Sequence, residues 1–371
     1  MPSFTFLMIY LTSFALSASL DRCEATVEET GLSKHDIQVS TVHSSSLAGT
    51  EYEEKILPAN VTQIEKELLK GNISTHDLEV QFQLPRPHSL SSEDWIFYVR
   101  IQKTFSKSYL HFLKSKLMSQ FKVSQCGHAF AASLSADTRK PFCVRASYGV
   151  CSQMVRNEWL RNPHCKLVGD HHCNWVDLFE PLQHLVSRNG TLPPTVHVVT
   201  LLRHPLRRCL SEFKHIACGK LPWDYCLKRT PQASSLSKAS YLSFLQNPSH
   251  SPGMSNRQTR MLSGLHSENG AAMLKSAKSN LLRMKVVGVS ELFEQSLRLT
   301  AHAFHWDYDE FKDHSHILEL TDRTRLPFEI DNEIVHETLK RNLLDLELYL
   351  FARNLVNRRF LKLKKEKLGS S

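Results

Sequence analysis

The sequence predicts an α/β fold: a central parallel sheet flanked by helices, with a long helical segment at the C-terminus. Three short apolar runs carry that expectation, Trp95–Ile101, Val196–Leu202 and the stretch MKVVGVSE at 284–291. A segment with helical spacing follows each one: SYLHFLKSKLM, then Leu206–Ile216, then LFEQSLRLTAHAFHW. Runs that stay apolar instead of alternating belong to strands covered on both faces, which is what a parallel sheet between two helical layers requires. The stretch 331–366 reads as one or two helices packed on that sheet, ending in an exposed basic tip, RRFLKLKKEK.

The 371 residues are 41% hydrophobic and include 19 Phe and 5 Trp, enough for a substantial core, so a disordered chain is excluded. A net charge of +9 asks for an acidic partner: nucleic acid, an anionic membrane, or a sulfated or phosphorylated ligand. The N-terminus narrows that choice. Residues 3–20, SFTFLMIYLTSFALSASL, are apolar and uncharged with small residues near the end, as in a secretory signal peptide or a short signal anchor. Sequons at Asn60, Asn72 and Asn189 agree with a lumenal chain, and so does the cysteine pattern. Eight of nine cysteines fall between Cys126 and Cys226 and read as disulfides of open connectivity, with Cys23 left over. Nucleic acid therefore recedes and an anionic glycan comes forward.

Three regions are expected: a targeting segment at 1–20, a stem at 21–90 and a folded domain at 91–367. The stem is rich in Ser, Thr and Glu. Its one convincing helix is TQIEKELLKG, opened by a Thr62/Glu65 capping box and stopped at Gly71.

Two strand ends suggest chemistry. After the first strand comes RIQKTFSKS, with Lys103 and then Thr104, Ser106 and Ser108 at a helix start. That order suits a phosphate cradle of backbone N–H groups, hydroxyls and one point charge. No Walker A spacing occurs in the chain. After the second strand comes RHPLRRCLSEFKH, which puts Arg203 at the strand mouth and Ser211 on the next helix. In an open α/β sheet both ends face the same carboxyl edge, so together they suggest a nucleotide with phosphates at both ends.

The motifs RIQKT (100–104), LLRHPLRRCLSEFKH (201–215), NRQTRML (256–262), SAKSNL (276–281) and LDLELY (344–349), in that order, resemble the heparan-sulfate 6-O-sulfotransferases. The resemblance runs from about Trp95 to Leu363. It implies the P-loop-like sulfotransferase fold and a Golgi, single-pass type II protein, secreted if the leader is cleaved. It also implies sulfuryl transfer from 3′-phosphoadenosine 5′-phosphosulfate to the 6-hydroxyl of glucosamine in heparan sulfate. By the same resemblance, the donor is held by Arg100, Ile101, Gln102, Lys103, Thr104, Phe105, Ser106, Lys107 and Ser108 at the 5′-phosphosulfate. Arg203 and Ser211 take the 3′-phosphate, and Thr324 and Arg325 close over the nucleotide. Lys103 and His172 are the implied catalytic pair, His172 serving as the base, with His171 one residue away. His215 and Trp223 match acceptor-binding positions. No metal is expected, because Cys165, His171, His172 and Cys173 match no zinc spacing. The family turn reads H-I-Q-K-T-G-G-T-T, so Phe105 and Ser106 stand here for two glycines, and His204 stands where the family has Asp. The alternative reading is a sulfotransferase-fold protein that binds heparan sulfate with impaired catalysis.

Overall fold

The architecture was read from a computed structural model that describes residues 61–68, 83–91, 94–121, 167–168, 195–218, 236–247, 251–265, 269–308, 326 and 328–369. Every described residue belongs to one compact unit, Gly49–Ser371. In chain order the elements are α1 (Val61–Leu68), β1 (Trp95–Val99), α2 (Ser106–Phe121), β2 (Leu167–Val168), β3 (Val196–Leu202), α3 (Pro205–Cys218), α4 (Lys238–Gln246) and α5 (Ser251–Met254). There follow α6 (Arg257–Ser263), α7 (Gly270–Arg283), β4 (Val286–Val289), a 3-10 turn at Ser290–Leu292, α8 (Phe293–Ala303), α9 (Asn332–Lys340) and α10 (Leu343–Gly369).

The four strands form one sheet in the order β2-β1-β3-β4, every neighbour parallel. Register is fixed by pairs such as Trp95 with Val196, Val99 with Thr200, and Leu202 with Val289. Side-chain alternation sorts residues onto two faces. Phe97, Val99, Val198, Leu202, Val287 and Val289 pack with α6, α7 and α10, whereas Ile96, Tyr98, Val199, Leu201 and Val286 pack with α2 and α8. The expected α/β class is the one observed. A third cluster joins α1, α3, α4 and α9 through Val61, Leu206, Cys209, Leu210, Phe213, Tyr241, Ile334 and Val335. In α3 the apolar positions 206, 209, 210 and 213 are the i, i+3, i+4, i+7 stripe that buries one face, and Pro205 starts the helix where a missing N–H is harmless.

Several boundaries differ from the sequence reading. The first strand ends at Val99, where its pairing with β3 stops and Arg100 and Ile101 lead into the turn at 102–103, and β4 is confined to Val286–Val289. The first helix begins at Val61, which places Thr62 inside it, so Thr62 is not its N-cap. That helix is no free part of a spacer, since Val61 is buried in the third cluster with Ile64 and Leu68 packed beside it. The C-terminal stretch forms two helices, α9 and α10, and Lys362, Lys364 and Lys365 are exposed at the tip. Cys209 corrects the disulfide reading of the eight-cysteine cluster. It is a buried free thiol that donates to the Met254 carbonyl, and burial pushes its pKa up to about 11. The apolar leader at 3–20 and the sequons at Asn60, Asn72 and Asn189 lie outside the described residues. Among the described residues no helix is long and apolar enough to cross a membrane.

Gly288 holds β4 close to its neighbours. A Cβ built there would sit 2.6 Å from Leu201 Cδ1 and 2.9 Å from Ser296 Cβ. Ser296 cannot yield cheaply, because its hydroxyl accepts from Val289 N and also donates to a carbonyl. Gly288→Ala should therefore cost about 1–3 kcal/mol, measured as a lower urea midpoint with an unchanged slope. An unaltered midpoint would show that the sheet and α8 separate more easily than this packing implies.

Candidate active site

The strand order places a switch point at β1: the chain adds β2 on one side of it and β3 on the other. Ligands of open α/β sheets bind in the crevice such a reversal opens at the carboxyl ends of the strands. Val99 and Leu202 end there, delivering the turn 100–105 and then Arg203 and His204.

The first turn has an unusual backbone. Lys103 and Phe105 take left-handed conformations, with φ of 64° and 58°. Thr104, between them, is buried and donates its hydroxyl to the Ile101 carbonyl at 2.9 Å, which fastens the turn from inside. Arg100, Ile101 and Ser106 are buried, while Gln102, Lys103, Phe105 and Ser108 are partly exposed at the strand mouth. Lys107 lies in the first turn of α2, with its side chain outside the described residues. The first N–H groups of this 16-residue helix have no carbonyl of their own helix to meet, and the helix dipole adds to their attraction for an anion.

The second corner reaches the first. Arg203 Nη1 donates to the Lys103 carbonyl at 3.2 Å, and its guanidinium carbon lies 4.8 Å from the centre of the Phe105 ring. Two positions a hundred residues apart thus meet at one edge of the sheet. The Arg203 backbone is clamped on both sides by one buried side chain. Gln258 Oε1 accepts from Arg203 N, and Gln258 Nε2 donates to Arg203 O, both at 2.9 Å. His204 is fixed similarly: its N–H donates to Glu291 Oε1 at 3.0 Å, and its Nε2 lies 2.6 Å from Glu65 Oε1 on α1. Its ring meets Tyr349 edge-on at 5.2 Å. Ser211 is half-buried in the second turn of α3, and His215 is exposed in the last. His172, Trp223, Thr324 and Arg325 lie outside the described residues, as do His171, Cys165 and Cys173.

Behind the corners, the remaining motifs lock to one another. Asp345 accepts from Gln258 N at 3.1 Å and from Thr259 N at 2.8 Å, capping α6 from another helix. Asn256 Oδ1 accepts in return from the N–H groups of Leu344 and Asp345. Asn280 Nδ2 donates to the carbonyls of Leu262 and Ser263, and the Ser276 hydroxyl also reaches Ser263, so α7 closes the other end of α6. α6 is thereby gripped at both ends, and Gln258 near its start carries that rigidity to Arg203. Gln258, Asp345 and Glu291 are the positioning residues the sequence reading missed.

No family model matches this chain. Curated proteins do. Heparan-sulfate 6-O-sulfotransferase 3-B of Danio rerio is 27% identical over 322 residues, which is 78% of this chain and 70% of that protein. Heparan-sulfate 6-O-sulfotransferase 2 of Danio rerio is 26% identical over 326 residues, 78% of this chain and 63% of its own length. The chain is similar to the heparan-sulfate 6-O-sulfotransferases over 78% of its length. Heparan-sulfate 6-O-sulfotransferase 2 of Homo sapiens is 28% identical over 217 residues, 51% of this chain and 35% of that protein, so the match spans about a third of the human relative.

The departures from the sulfotransferase motif now have a geometry. Phe105 keeps a left-handed backbone at a position where the family pattern has glycine, and an L side chain there costs about 1–2 kcal/mol. Its ring offsets part of that by packing on Phe293 and under Arg203. Replacing it separates the two effects. Phe105→Ala loses the ring and keeps the strain, whereas Phe105→Gly loses the ring and relieves it. Glycine should be the more stable of the two by about 0.5–1 kcal/mol even after its larger unfolded-state entropy, the reverse of the usual order. Chemical denaturation of the two variants decides, and an alanine variant as stable as glycine would mean that the turn relaxes out of the left-handed region.

Proposed function

We propose that this chain transfers a sulfuryl group from 3′-phosphoadenosine 5′-phosphosulfate to the 6-hydroxyl of glucosamine in heparan sulfate. The observation that carries this reading is the contact between the two strand-end corners, Arg203 Nη1 on the Lys103 carbonyl at 3.2 Å, in register with the family's motifs. The names of the relatives support sulfotransfer to heparan sulfate in the coarser sense. The donor and the 6-position are inferred from the two corners and the motif resemblance. The net charge of +9 favours a polyanionic acceptor, with attraction that weakens as salt rises.

The residues at the edge suit such a donor. Left-handed backbone at 103 and 105 and the start of α2 supply N–H groups for the 5′-phosphosulfate, and Lys103 supplies a positive charge beside them. The Arg203 guanidinium offers a planar fork for the 3′-phosphate, and Ser211 adds a short donor. Transfer of this kind proceeds by in-line displacement, where positioning and charge stabilisation dominate. Lys103 neutralises charge gathering on the leaving phosphate, and His172 takes the proton of the attacking hydroxyl through a neutral imidazole. We place His215 and Trp223 at the acceptor and Thr324 and Arg325 over the nucleotide. We assign the chain to the Golgi membrane, with 91–367 lumenal together with the helix at 61–68 that packs on it, and the rest of 21–90 as a stem.

One observation favours a second reading, heparan-sulfate binding without transfer: the Phe105 ring occupies the space under Arg203 where the family pattern has no side chain. Calorimetry with 3′-phosphoadenosine 5′-phosphate, followed by transfer of radiolabelled sulfate onto heparan sulfate with product mapping, separates the two. The first reading expects nucleotide binding that Arg203→Ala weakens about 10–100-fold, the loss of a charged hydrogen bond, together with 6-O-sulfated product. Heparan-sulfate binding without nucleotide binding would establish the second.

A further inference from the structure

The geometry points to a divalent-cation site of the zinc class at the opposite, amino-terminal edge of the sheet, built by His88, Asp94 and His197. His88 and Asp94 lie six residues apart just before β1, and His197, about a hundred residues further on, meets them at the start of β3. One ligand atom from each lies within 4.8 Å of the others. His88 Nε2 is 2.9 Å from Asp94 Oδ2, His197 Nε2 is 3.8 Å from Asp94 Oδ1, and the two imidazole rings are 4.7 Å apart. Two imidazole nitrogens and one carboxylate oxygen are a donor set that zinc accepts, with water completing the coordination.

A second observation points the same way. His197 is 93% buried, and its Nε2, directed at Asp94, has no hydrogen-bond partner. A buried imidazole nitrogen left without a partner costs free energy, and 3.8 Å is too long for a hydrogen bond. A cation between the three would give His197 Nε2 the partner it lacks while also drawing on the Asp94 carboxylate. Asp94 Oδ2 accepts from Ser91 N at 2.6 Å, an outer support of the kind that orients metal ligands, and also meets His88 Nε2 at 2.9 Å. Donors at about 2.1 Å from one ion lie at most about 4.2 Å apart. The spread therefore closes through His88, which is 41% exposed and would exchange its contact with Asp94 Oδ2 for the ion, while the two buried ligands stay in place. Around them Phe304 meets the His197 ring edge-on at 5.5 Å. Lys285, whose charge is felt by both His197 and Asp94, opposes a cation, although its ammonium is drawn to the Arg86 carbonyl at 2.6 Å. The consequence is structural: the ion ties the segment at 83–91 to the start of the sheet, remote from the nucleotide edge and independent of the sulfotransferase reading.

The test uses the purified full chain, first stripped with a chelator. Zinc chloride titrated by calorimetry should bind at one equivalent and raise the melting temperature, and cobalt(II) should give the visible bands of a low-coordinate site. His88→Ala, a change at a half-exposed position that should fold, is expected to weaken binding about tenfold or more and to abolish the melting shift and the cobalt bands. No melting shift in the wild type would overturn the proposal. So would a His88→Ala variant that binds zinc like the wild type, because the chain has 20 histidines and binding would then lie elsewhere.

Discussion

Replacing Asp345 with alanine should cost the fold about 3–5 kcal/mol. The carboxylate is fully buried and accepts three hydrogen bonds, from Gln258 N, Thr259 N and the Thr259 hydroxyl. It also lies 4.0 Å from the guanidinium of Arg208, itself fully buried. Arg208 keeps its bonds to the Gly253 and Met254 carbonyls in the variant, but a buried cation then loses a counter-charge and α6 loses its cap. Each buried donor left orphaned adds about 1–3 kcal/mol before relaxation, so the sum is a large part of the ~5–15 kcal/mol that holds most domains together. Asp345→Asn keeps the shape and an acceptor and should lose about half as much. The Asn variant is the informative one for function, since it folds with a loosened α6. Gln258 then holds the Arg203 backbone less firmly, so nucleotide affinity should fall although Asp345 never touches the ligand. Urea melts of both variants and calorimetry on the Asn variant test the chain of effects. A loss below about 1 kcal/mol in Asp345→Ala would remove the idea that the motif at 344–349 is there to brace the site.

Much of the fold was legible because it depends on local patterns. A run such as Trp95–Val99 with all five side chains buried announces a strand covered on both faces, and Pro205 announces the helix that follows Arg203. The two strand-end corners were legible for the same reason, since strand, turn and helix start are contiguous in sequence. What sequence could not deliver were the contacts that close over long separations. Gln258 on Arg203 spans 55 residues, Asp345 on Thr259 spans 86, and Glu65 on His204 spans 139. Nothing in the composition of NRQTRML says that its glutamine clamps a backbone elsewhere. The helix at 61–68 was misplaced for a related reason. Its polar face and its Ser- and Thr-rich surroundings describe a spacer, whereas its burial is decided by α3 and α9, formed by residues far downstream. Cys209 failed the disulfide rule because proximity in sequence to other cysteines is no measure of distance in space. The glycine-to-phenylalanine change at 105 reads in sequence as damage to a phosphate turn. The structure keeps the left-handed backbone regardless and seats Arg203 on the new ring.

Lys103→Ala should then lower sulfate transfer by about 10²–10³-fold while leaving the stability of the protein within about 0.5 kcal/mol of the wild type. The two halves of that expectation have separate causes. Residue 103 has φ of 64°, and alanine and lysine are both L residues that bear similar strain there, so the substitution does not change the cost of the turn. The Lys103 carbonyl, which accepts from Arg203, is also untouched by the change. Only the ammonium is removed. In the proposed transfer its charge matters most when the bond to the leaving phosphate stretches and negative charge builds on the bridging oxygen, so turnover should fall much more than affinity for the nucleotide product. Lys103→Arg supplies the control: it restores charge with a planar, bulkier head whose reach differs, and should recover only part of the rate. The assay is labelled sulfate transfer to heparan sulfate at saturating acceptor, with calorimetry on the nucleotide product in parallel. Unchanged turnover in Lys103→Ala would mean that the first corner does not hold the reacting end of the donor. A collapse of nucleotide affinity equal to the loss of rate would make Lys103 a binding group, leaving the stabilisation of the transition state to other residues at the strand mouth.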